Sequence, residues 1–192
     1  KKNIKIIESD ITDEVNLKLK ITNIFSKKKK LDILVNNAGV ASGSIVEMTS
    51  QKNLKDIFDV NFFSQIRLTQ LLLKYLKKSK NSSIINIGSI VSQIPERGTL
   101  AYGSSKAAFM HATKIMSNEF SNYKIRVNGI CPNVTNTKML QKMDQNSKDK
   151  LILRSFSKRT CEPIEVANLV MFLASKKSEY INGQIIRLDG GM

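Results

Sequence analysis

Short uninterrupted apolar runs alternate with longer segments of helical periodicity along this 192-residue chain. Strands that are apolar throughout are typical of parallel sheets in which helices cover both faces. The alternation therefore predicts an α/β fold with a doubly wound parallel sheet. The runs that we interpret as strands are 4–8, 31–35, 83–87, 124–130 and 184–188.

The segments between these runs carry apolar residues at spacings of three and four, which predicts helices. The sequence has no internal repeat and no linker-like stretch, so residues 1–192 are predicted to form a single domain. In such a sheet ligands bind outside the carboxyl ends of the strands, and we expect the functional residues there. The predicted helices are 13–25, 49–79, 101–120 and 163–174, and one short helix is expected within the polar segment 133–160.

The formal net charge of +15 raises the question of a nucleic-acid partner. The basic residues are spread along the chain, with local runs only at 27–30 and 74–80. This spread favours a solvated basic surface, so we expect no nucleic acid; a polyanion site or an acidic carrier protein stays an alternative. No apolar run approaches the roughly 20 residues that span a bilayer, so we expect no membrane partner.

Cysteine usage indicates a reducing compartment and offers no metal site. Cys131 and Cys161 are 30 residues apart, and neither belongs to a CxxC pair or has a histidine neighbour. We therefore predict that the protein binds no metal and works in the cytoplasm. The single histidine, His111, lies in a predicted helix and is interpreted as structural.

Tyr102 and Lys106 lie four residues apart at the start of a predicted helix, which puts both side chains on one helix face. A phenol with a pKa of about 10 is a poor acid–base catalyst near neutral pH. A nearby positive charge stabilises the phenolate and lowers that pKa. The pair can then exchange a proton with a carbonyl or carbinol oxygen.

Other polar residues follow the strands that precede this helix. Ser89 lies 13 residues before Tyr102, at the end of a predicted strand, where its hydroxyl could hold a substrate oxygen. The segment 36–39 ends another strand with a glycine, where a flat ligand could approach the backbone. Asn61 lies in the long predicted helix. Each residue alone is also typical of a turn or a helix cap, whereas their joint order and spacing favours a site.

With these residues the chain resembles the short-chain dehydrogenase/reductase family. Within that family it is most similar to the 3-oxoacyl-[acyl-carrier-protein] reductases and their sugar-handling and steroid-handling relatives. The resemblance implies a Rossmann-like fold and covers essentially the whole chain. The matching motifs are Asp10-Ile11 after a strand, NNAG at 36–39, Asn61, Ser89, YGSSK at 102–106 and IN-G-IIRLDGG across 181–191.

The resemblance implies a role for each matching residue and NADP or NAD as the cofactor. Tyr102 would donate or accept the proton, and Ser89 would orient the substrate carbonyl. Lys106 would lower the pKa of the tyrosine and hold the nicotinamide ribose, while Asn61 would anchor a water that relays protons. The residues implied in cofactor binding are Asp10, Ile11, Asn36, Ala38, Gly39, Tyr102, Lys106, Thr135 and Thr137.

The same resemblance implies a carbonyl substrate, either a small molecule or an acyl-carrier-linked group, and a homodimer or homotetramer. We expect an NAD(P)(H)-dependent oxidoreductase that interconverts a carbonyl and a secondary alcohol, with 3-oxoacyl thioester reduction as the first candidate. A sugar or polyol dehydrogenase of the same family is the alternative. A non-catalytic relative that kept the fold is a third possibility.

One element of the family pattern does not occur in this sequence. No glycine precedes Gly39, so the chain has no TGxxxGxG turn that could cradle a pyrophosphate at a helix N-terminus. We therefore expect an N-terminally truncated Rossmann-like domain that lacks the first two strands and the glycine-rich loop. The predicted strand 4–8 would then have no neighbour beside it in the sheet.

We accordingly predict that residues 1–192 by themselves bind NADPH and NADH weakly or not at all, because the phosphates have no glycine-rich turn to bind. Isothermal titration calorimetry of this chain with each dinucleotide checks the prediction. A dissociation constant in the micromolar range would contradict it.

Overall fold

A parallel four-stranded sheet lies at the centre of the residues that the computed structural model describes, which are 4–27, 29–141 and 145–192. Its strands lie side by side in chain order, and every neighbouring pair is parallel. Parallel neighbours need a long crossover, which the intervening helices supply. The strands are β1 (Ile33–Asn36), β2 (Ser82–Ile87), β3 (Ile125–Pro132) and β4 (Ile185–Leu188).

Seven α-helices connect and cover these strands within the described residues. Residues 1–3, 28 and 142–144 of the predicted single domain lie outside that part of the chain. The helices are α1 (Glu14–Phe25), α2 (Gln51–Phe58), α3 (Ser64–Leu76), α4 (Leu100–Glu119), α5 (Lys138–Gln141), α6 (Gln145–Arg154) and α7 (Pro163–Ala174).

Helices pack on both faces of the sheet, and each face has its own apolar core. Ile84 and Ile85 are consecutive residues of β2, so they point to opposite faces. Ile84 is buried with Phe109 beneath α1, α3 and α4, and Ile85 is buried with Leu173 beneath α7. Every residue of β2 is therefore buried. The predicted α/β fold, with a parallel sheet covered on both faces, is confirmed.

Helix α7 is capped at its start and held to the sheet near its end. It begins with Pro163, whose missing N–H is not needed in a first turn, and the Glu165 carboxylate accepts a 2.8 Å bond from the Glu162 backbone N–H. At the other end the Arg126 guanidinium, which projects from β3, donates a 2.8 Å hydrogen bond to the carbonyl of Leu173. This bond satisfies a helix-terminal carbonyl that has no partner within the helix.

The prediction of a strand at 4–8 is wrong for this structure. These residues form no regular element, and the side chain of Ile6 is 88% exposed. β1 pairs with β2 along one edge, and within the described residues no strand pairs with its other edge. An apolar run becomes a strand only where a neighbour accepts its backbone hydrogen bonds, so the pattern alone was insufficient.

Two helical predictions also need correction. The predicted helix 49–79 is divided into α2 and α3 by a π-helical turn at Asp59–Phe63. The segment 133–160 holds two helices, α5 and α6, rather than one. Neither of them buries a residue fully among those described, and helices without a buried face give little periodic signal.

Candidate active site

Ser89, Tyr102 and Lys106 come together at the carboxyl edge of the sheet. β2 ends at Ile87, and Ser89 follows two residues later with extended backbone. α4 starts at Leu100, so Tyr102 lies in its first turn and Lys106 one turn further on. The Ser89 side chain is hydrogen-bonded to the Tyr102 phenol. The residues that the sequence places far apart along the chain thus share one edge of the sheet.

Lys106 is almost completely enclosed in the protein. Lys106 is only 4% exposed, and its Nζ donates a 2.9 Å hydrogen bond to the carbonyl of Ile87. Burial disfavours the charged ammonium and lowers the pKa of Lys106 from 10.5 to about 8, partly opposed by the thiolate form of Cys131. The group is therefore protonated at neutral pH but loses its proton within the mildly alkaline range.

The electrostatics of Tyr102 differ from the expectation based on sequence. Burial of the phenol raises the pKa of Tyr102 above 10.0, and the group that lowers it is the Ser89 hydroxyl rather than Lys106. The expectation that the ammonium would keep this tyrosine acidic is wrong for this structure. The reason is geometric, because Lys106 directs its Nζ to the carbonyl of Ile87.

Asn61 braces the loop after β1 against α4. Its Nδ2 donates to the carbonyl of Val40 at 2.9 Å and to Oγ of Ser105 at 3.0 Å, while its Oδ1 accepts from the Val40 N–H at 2.8 Å. Ser105 in turn donates to the carbonyl of Tyr102. Both amide hydrogens of Asn61 are used in this way, which leaves only Oδ1 of the side chain to accept a further bond. The predicted water relay stays a prediction.

The π-helical turn places Asn61 in this position. Within it the Ser64 N–H bonds to the carbonyl of Asp59, five residues back, so the turn contains one residue more than an α-helical turn. Asn61 is fully buried as a result, and its amide reaches the neighbouring loop. Sequence reasoning interpreted the region as continuous helix, because one extra residue hardly disturbs the apolar spacing.

Gly39 provides the space into which Lys106 and Asn61 project. A Cβ atom at this position would lie 3.2 Å from Oδ1 of Asn61 and 3.2 Å from Nζ of Lys106. These distances are shorter than comfortable contacts, and both neighbours are buried and hydrogen-bonded. The final residue of the NNAG motif therefore has a steric reason to be glycine.

Asn36 and Ala38, two predicted cofactor residues, take part in a buried polar network. Asn36 donates to Oδ1 of Asn86 at 2.9 Å and to Oγ1 of Thr69 at 3.0 Å. The carbonyl of Ala38 accepts a 2.7 Å bond from Nε2 of Gln65. In this structure the Asn36 side chain thus ties β1 to β2 and α3 and is 2% exposed.

Asp10 and Ile11 lie in the turn that precedes α1, which begins at Glu14. Oδ1 of Asp10 accepts bonds from the backbone N–H and the hydroxyl of Thr12, at 2.9 and 2.8 Å, and these bonds lower the pKa of Asp10. The carboxylate therefore stabilises a local turn. Both bonds are local to residues 10–12 and involve neither Tyr102 nor Lys106.

Thr135 and Thr137 lie in the loop that follows β3. Oγ1 of Thr135 donates to the carbonyl of Asn133 at 3.0 Å, and Oγ1 of Thr137 donates to the carbonyl of Thr135 at 3.3 Å. The loop is tied to the start of α7 by a parallel bridge between Thr135 and Cys161. The Thr137 bond is thus local to the loop, whereas the Thr135 side chain is also hydrogen-bonded to Cys161, just before α7.

Sequence reasoning missed several residues that hold the site in place. Gln65 and Ser105 contact the loop after β1 and Asn61, and Ser92 and Cys131 contact the turn that carries Ser89. Gln65 could have been found, because it falls on the buried face of its helix, three residues before an apolar position at Leu68. The contacts of Cys131 and Ser92 join separate strands and turns and leave no signal in the spacing.

Neither a metal-binding cluster nor a membrane-spanning helix occurs within residues 4–27, 29–141 and 145–192. Within that part of the chain, no group of three or more His, Cys, Asp or Glu side chains could hold a metal ion. None of its helices combines the length and the apolar character that crossing a bilayer requires.

A family model described as enoyl-(acyl carrier protein) reductase matches residues 1–192. The 3-oxoacyl-[acyl-carrier-protein] reductase of Thermotoga maritima is 31% identical over 183 residues, which are 95% of this chain and 74% of that relative. The chain belongs to the short-chain dehydrogenase/reductase family. The predicted family and its oxidoreductase class are thereby confirmed.

Solved structures of dehydrogenases from the same family share the fold. The aldohexose dehydrogenase of Thermoplasma acidophilum, in ligand-free form, aligns with a TM-score of 0.90 and 30% identity and covers 99% of this chain and 79% of its own. The gluconate 5-dehydrogenase of Burkholderia cenocepacia J2315, in complex with NADP and tartrate, aligns with a TM-score of 0.89 and 26% identity. That match covers 95% of this chain and 72% of the dehydrogenase.

The residues present fit the nicotinamide and ribose end of a dinucleotide. The ammonium of Lys106 has three hydrogens, of which the carbonyl of Ile87 takes one, so it can also donate to hydroxyl oxygens of a ligand. No glycine precedes Gly39, so a glycine-rich phosphate turn has no counterpart in these residues. The fit is therefore to one end of the dinucleotide only.

The buried ammonium generates a prediction about stability and pH. The pKa of Lys106 is about 8 in the folded chain and 10.5 in the unfolded chain, so the unfolded state binds more protons between these values. The free energy of unfolding then rises with pH across this window. Removing the charge in Lys106→Met should raise the free energy of unfolding at pH 7 by up to about 3 kcal/mol, and this gain should shrink between pH 8 and 10.5.

Urea unfolding of both proteins at several pH values between 7 and 10 measures the difference. Lys114→Met, at an exposed position of α4, serves as the matched control and should show no such trend. A difference between Lys106→Met and the unmodified chain that stays constant over this range would contradict the prediction.

Proposed function

We propose that this protein reduces a ketone to a secondary alcohol with NADPH or NADH as the hydride donor. The observation that carries the proposal is the hydroxyl pair of Ser89 and Tyr102 beside the buried Lys106 at the carboxyl edge of the sheet. The pair offers two hydrogen-bond donors to one carbonyl oxygen. Family membership and the NADP complex of the related gluconate 5-dehydrogenase support the cofactor.

In this proposal Ser89 donates a hydrogen bond to the substrate carbonyl oxygen and fixes its orientation. The bound nicotinamide supplies a hydride to the carbonyl carbon, chemistry that no protein side chain provides. Tyr102 transfers its proton to the oxygen as negative charge develops there, and the phenolate then regains a proton from solvent. The raised pKa of Tyr102 keeps the phenol protonated at neutral pH, which suits the reducing direction.

Lys106 then acts as a fixed positive charge and a donor toward the ribose hydroxyls. It lies one helical turn from Tyr102, and the carbonyl of Ile87 takes one of its three hydrogens, which leaves two for hydroxyl oxygens of a ligand. Gly39 leaves the space in which this ammonium is held. We assign the remaining implied contacts to the same ligand, at its adenine end through Asp10 and Ile11 and along the cleft through Asn36, Ala38, Thr135 and Thr137.

We propose a 3-oxoacyl thioester as the substrate class. The support is the similarity to the 3-oxoacyl-[acyl-carrier-protein] reductase of Thermotoga maritima over 95% of this chain. The net charge of +15 also suits an acidic carrier protein. A sugar substrate is the second candidate, because an aldohexose dehydrogenase aligns with a TM-score of 0.90.

We further propose that residues 1–192 form a single domain and that the protein assembles as a homodimer or homotetramer in the cytoplasm. Phe63 and Ile115, at the start of α3 and on α4, are each about half exposed, at 52% and 48%. Long helices with exposed apolar residues favour pairing between copies. Both cysteines are free thiols, which fits a reducing compartment.

The oligomer proposal predicts a mass of at least two chains in solution. Size-exclusion chromatography with light scattering measures this mass, and Phe63→Glu with Ile115→Glu should shift it toward one chain, because charge placed in an apolar contact opposes association. A monomeric mass for the unmodified protein at micromolar concentration would contradict the proposal.

Replacing Tyr102 by phenylalanine tests the catalytic assignment. In the full-length protein, Tyr102→Phe should lower kcat for NADPH-dependent acetoacetyl thioester reduction by at least about a hundredfold, since the proton donor is lost. Tyr123→Phe is the matched control, because Tyr123 lies at the opposite edge of the sheet, and it should leave kcat unchanged.

The substrate panel separates the candidate functions. Acetoacetyl thioester, crotonyl thioester, an aldohexose and gluconate are assayed with NADP(H) and NAD(H). Turnover of the aldohexose or gluconate alone would favour the sugar alternative. Turnover of the crotonyl thioester alone would indicate that the enzyme reduces a carbon–carbon double bond and not a carbonyl group. Unchanged kcat in Tyr102→Phe would refute the proton-donor role.

A further inference from the structure

Cys131 lies beside the turn that carries Ser89, on the neighbouring strand. It is the seventh residue of β3 and is fully buried. The Gly88 N–H donates a 2.7 Å bond to the carbonyl of Ile130, which holds the end of β2 against β3. A Cβ atom at Gly88 would lie only 3.0 Å from Sγ of Cys131, so the thiol fills the space immediately next to the turn.

Hydrogen bonds in this turn connect Cys131, Ser92 and Ser89. Oγ of Ser92 donates to the carbonyl of Ser89 at 2.6 Å, and a hydroxyl has a single hydrogen to donate. Oγ of Ser92 also lies 3.3 Å from Sγ of Cys131. Either atom could donate in that contact, and since the hydroxyl hydrogen already bonds to the carbonyl of Ser89, we take the thiol as the donor. The order is Cys131 S–H to Ser92 Oγ, and Ser92 O–H to the carbonyl of Ser89.

Two further groups of the same turn are directed at the sulfur. Nε2 of Gln93 donates to Sγ of Cys131 at 3.8 Å, and the backbone N–H of Ser89 is hydrogen-bonded to the same atom. The sulfur is therefore in contact with Ser89, Ser92 and Gln93, which together make up most of the turn. Burial raises the pKa of the Cys131 thiol, so the group keeps the proton that it donates to Ser92.

We propose that Cys131 is a positioning residue whose thiol, acting through Ser92, holds the turn so that the Ser89 hydroxyl meets Tyr102. The proposal rests on the proposed function, because it assigns Cys131 a part in placing a hydroxyl at the substrate carbonyl. It adds to that function a residue on β3 that touches neither substrate nor cofactor. The turn is joined to β3 by the bond from the Gly88 N–H to Ile130 and by the contacts of the sulfur with Ser92 and Gln93.

Kinetics of four variants test the order of the hydrogen bonds. Cys131→Ala and Ser92→Ala should each lower kcat about tenfold, the effect of one lost hydrogen bond, with a smaller change in KM. The kcat of the double variant should be no lower than that of the less active single variant, because both residues act in one chain of bonds. Cys131→Ser keeps a donor at this position and should stay within about threefold of the unmodified enzyme.

The pH dependence of kcat distinguishes a positioning role from a purely structural one, which would leave the pH profile unchanged. The Ser89 hydroxyl lowers the pKa of Tyr102, so loosening the turn should raise that pKa. The alkaline limb of the kcat profile for ketone reduction should then move to higher pH in Ser92→Ala, which keeps the Cys131 sulfur that also raises the pKa of Tyr102. Additive losses in the double variant, or an unmoved alkaline limb, would overturn the proposal.

Thiol labelling tests the same contact without depending on turnover. In a Cys161→Ala background Cys131 is the remaining thiol, and Cys161→Ala by itself should leave kcat unchanged. Ser92→Ala should accelerate the reaction of Cys131 with Ellman's reagent several-fold, because the turn that covers the sulfur opens more often. Equal labelling rates would overturn the Cys131–Ser92 contact, whereas absence of turnover in the unmodified enzyme would overturn the proposed function.

Discussion

The burial of one ammonium group, that of Lys106, is the constraint on which the rest of the site depends. A buried charge is costly unless it is hydrogen-bonded, and here the carbonyl of Ile87 at the end of β2 accepts the bond. Gly39 leaves space for the long side chain, and Asn61 holds the loop that bounds this space. Features that look separate in the sequence are therefore parts of one enclosure around a single charge.

Two loops at the carboxyl edge of the sheet are each held by a polar side chain from another element. Asn61, in the π-helical turn, pairs in both directions with the backbone of Val40 after β1. Cys131, on β3, contacts the turn after β2 that carries Ser89. Catalytic side chains on loops need such support, because a loop without it samples many geometries. The sheet and the helices supply the fixed points.

Much of the fold could be predicted from periodicity, and the one wrongly predicted strand has a clear physical cause. The strands β1 to β4 and the helix α7 were predicted within one or two residues at each end, because both of their faces are buried or their ends carry clear signals. The segment 4–8 has the same apolar pattern, yet no neighbour pairs with it in the described residues. Whether an apolar run becomes a strand is decided by its neighbours, which a local pattern does not contain.

The sequence by itself determined the α/β class, the order of the elements and the four-residue spacing that puts Tyr102 and Lys106 on one face of α4. These features are local, since the period of a helix or strand is set by backbone geometry alone. Only the tertiary structure decided which oxygen atom accepts a hydrogen bond from the Lys106 ammonium. It directs Lys106 to Ile87 and raises the pKa of Tyr102, because burial and hydrogen bonding depend on residues that are distant along the chain.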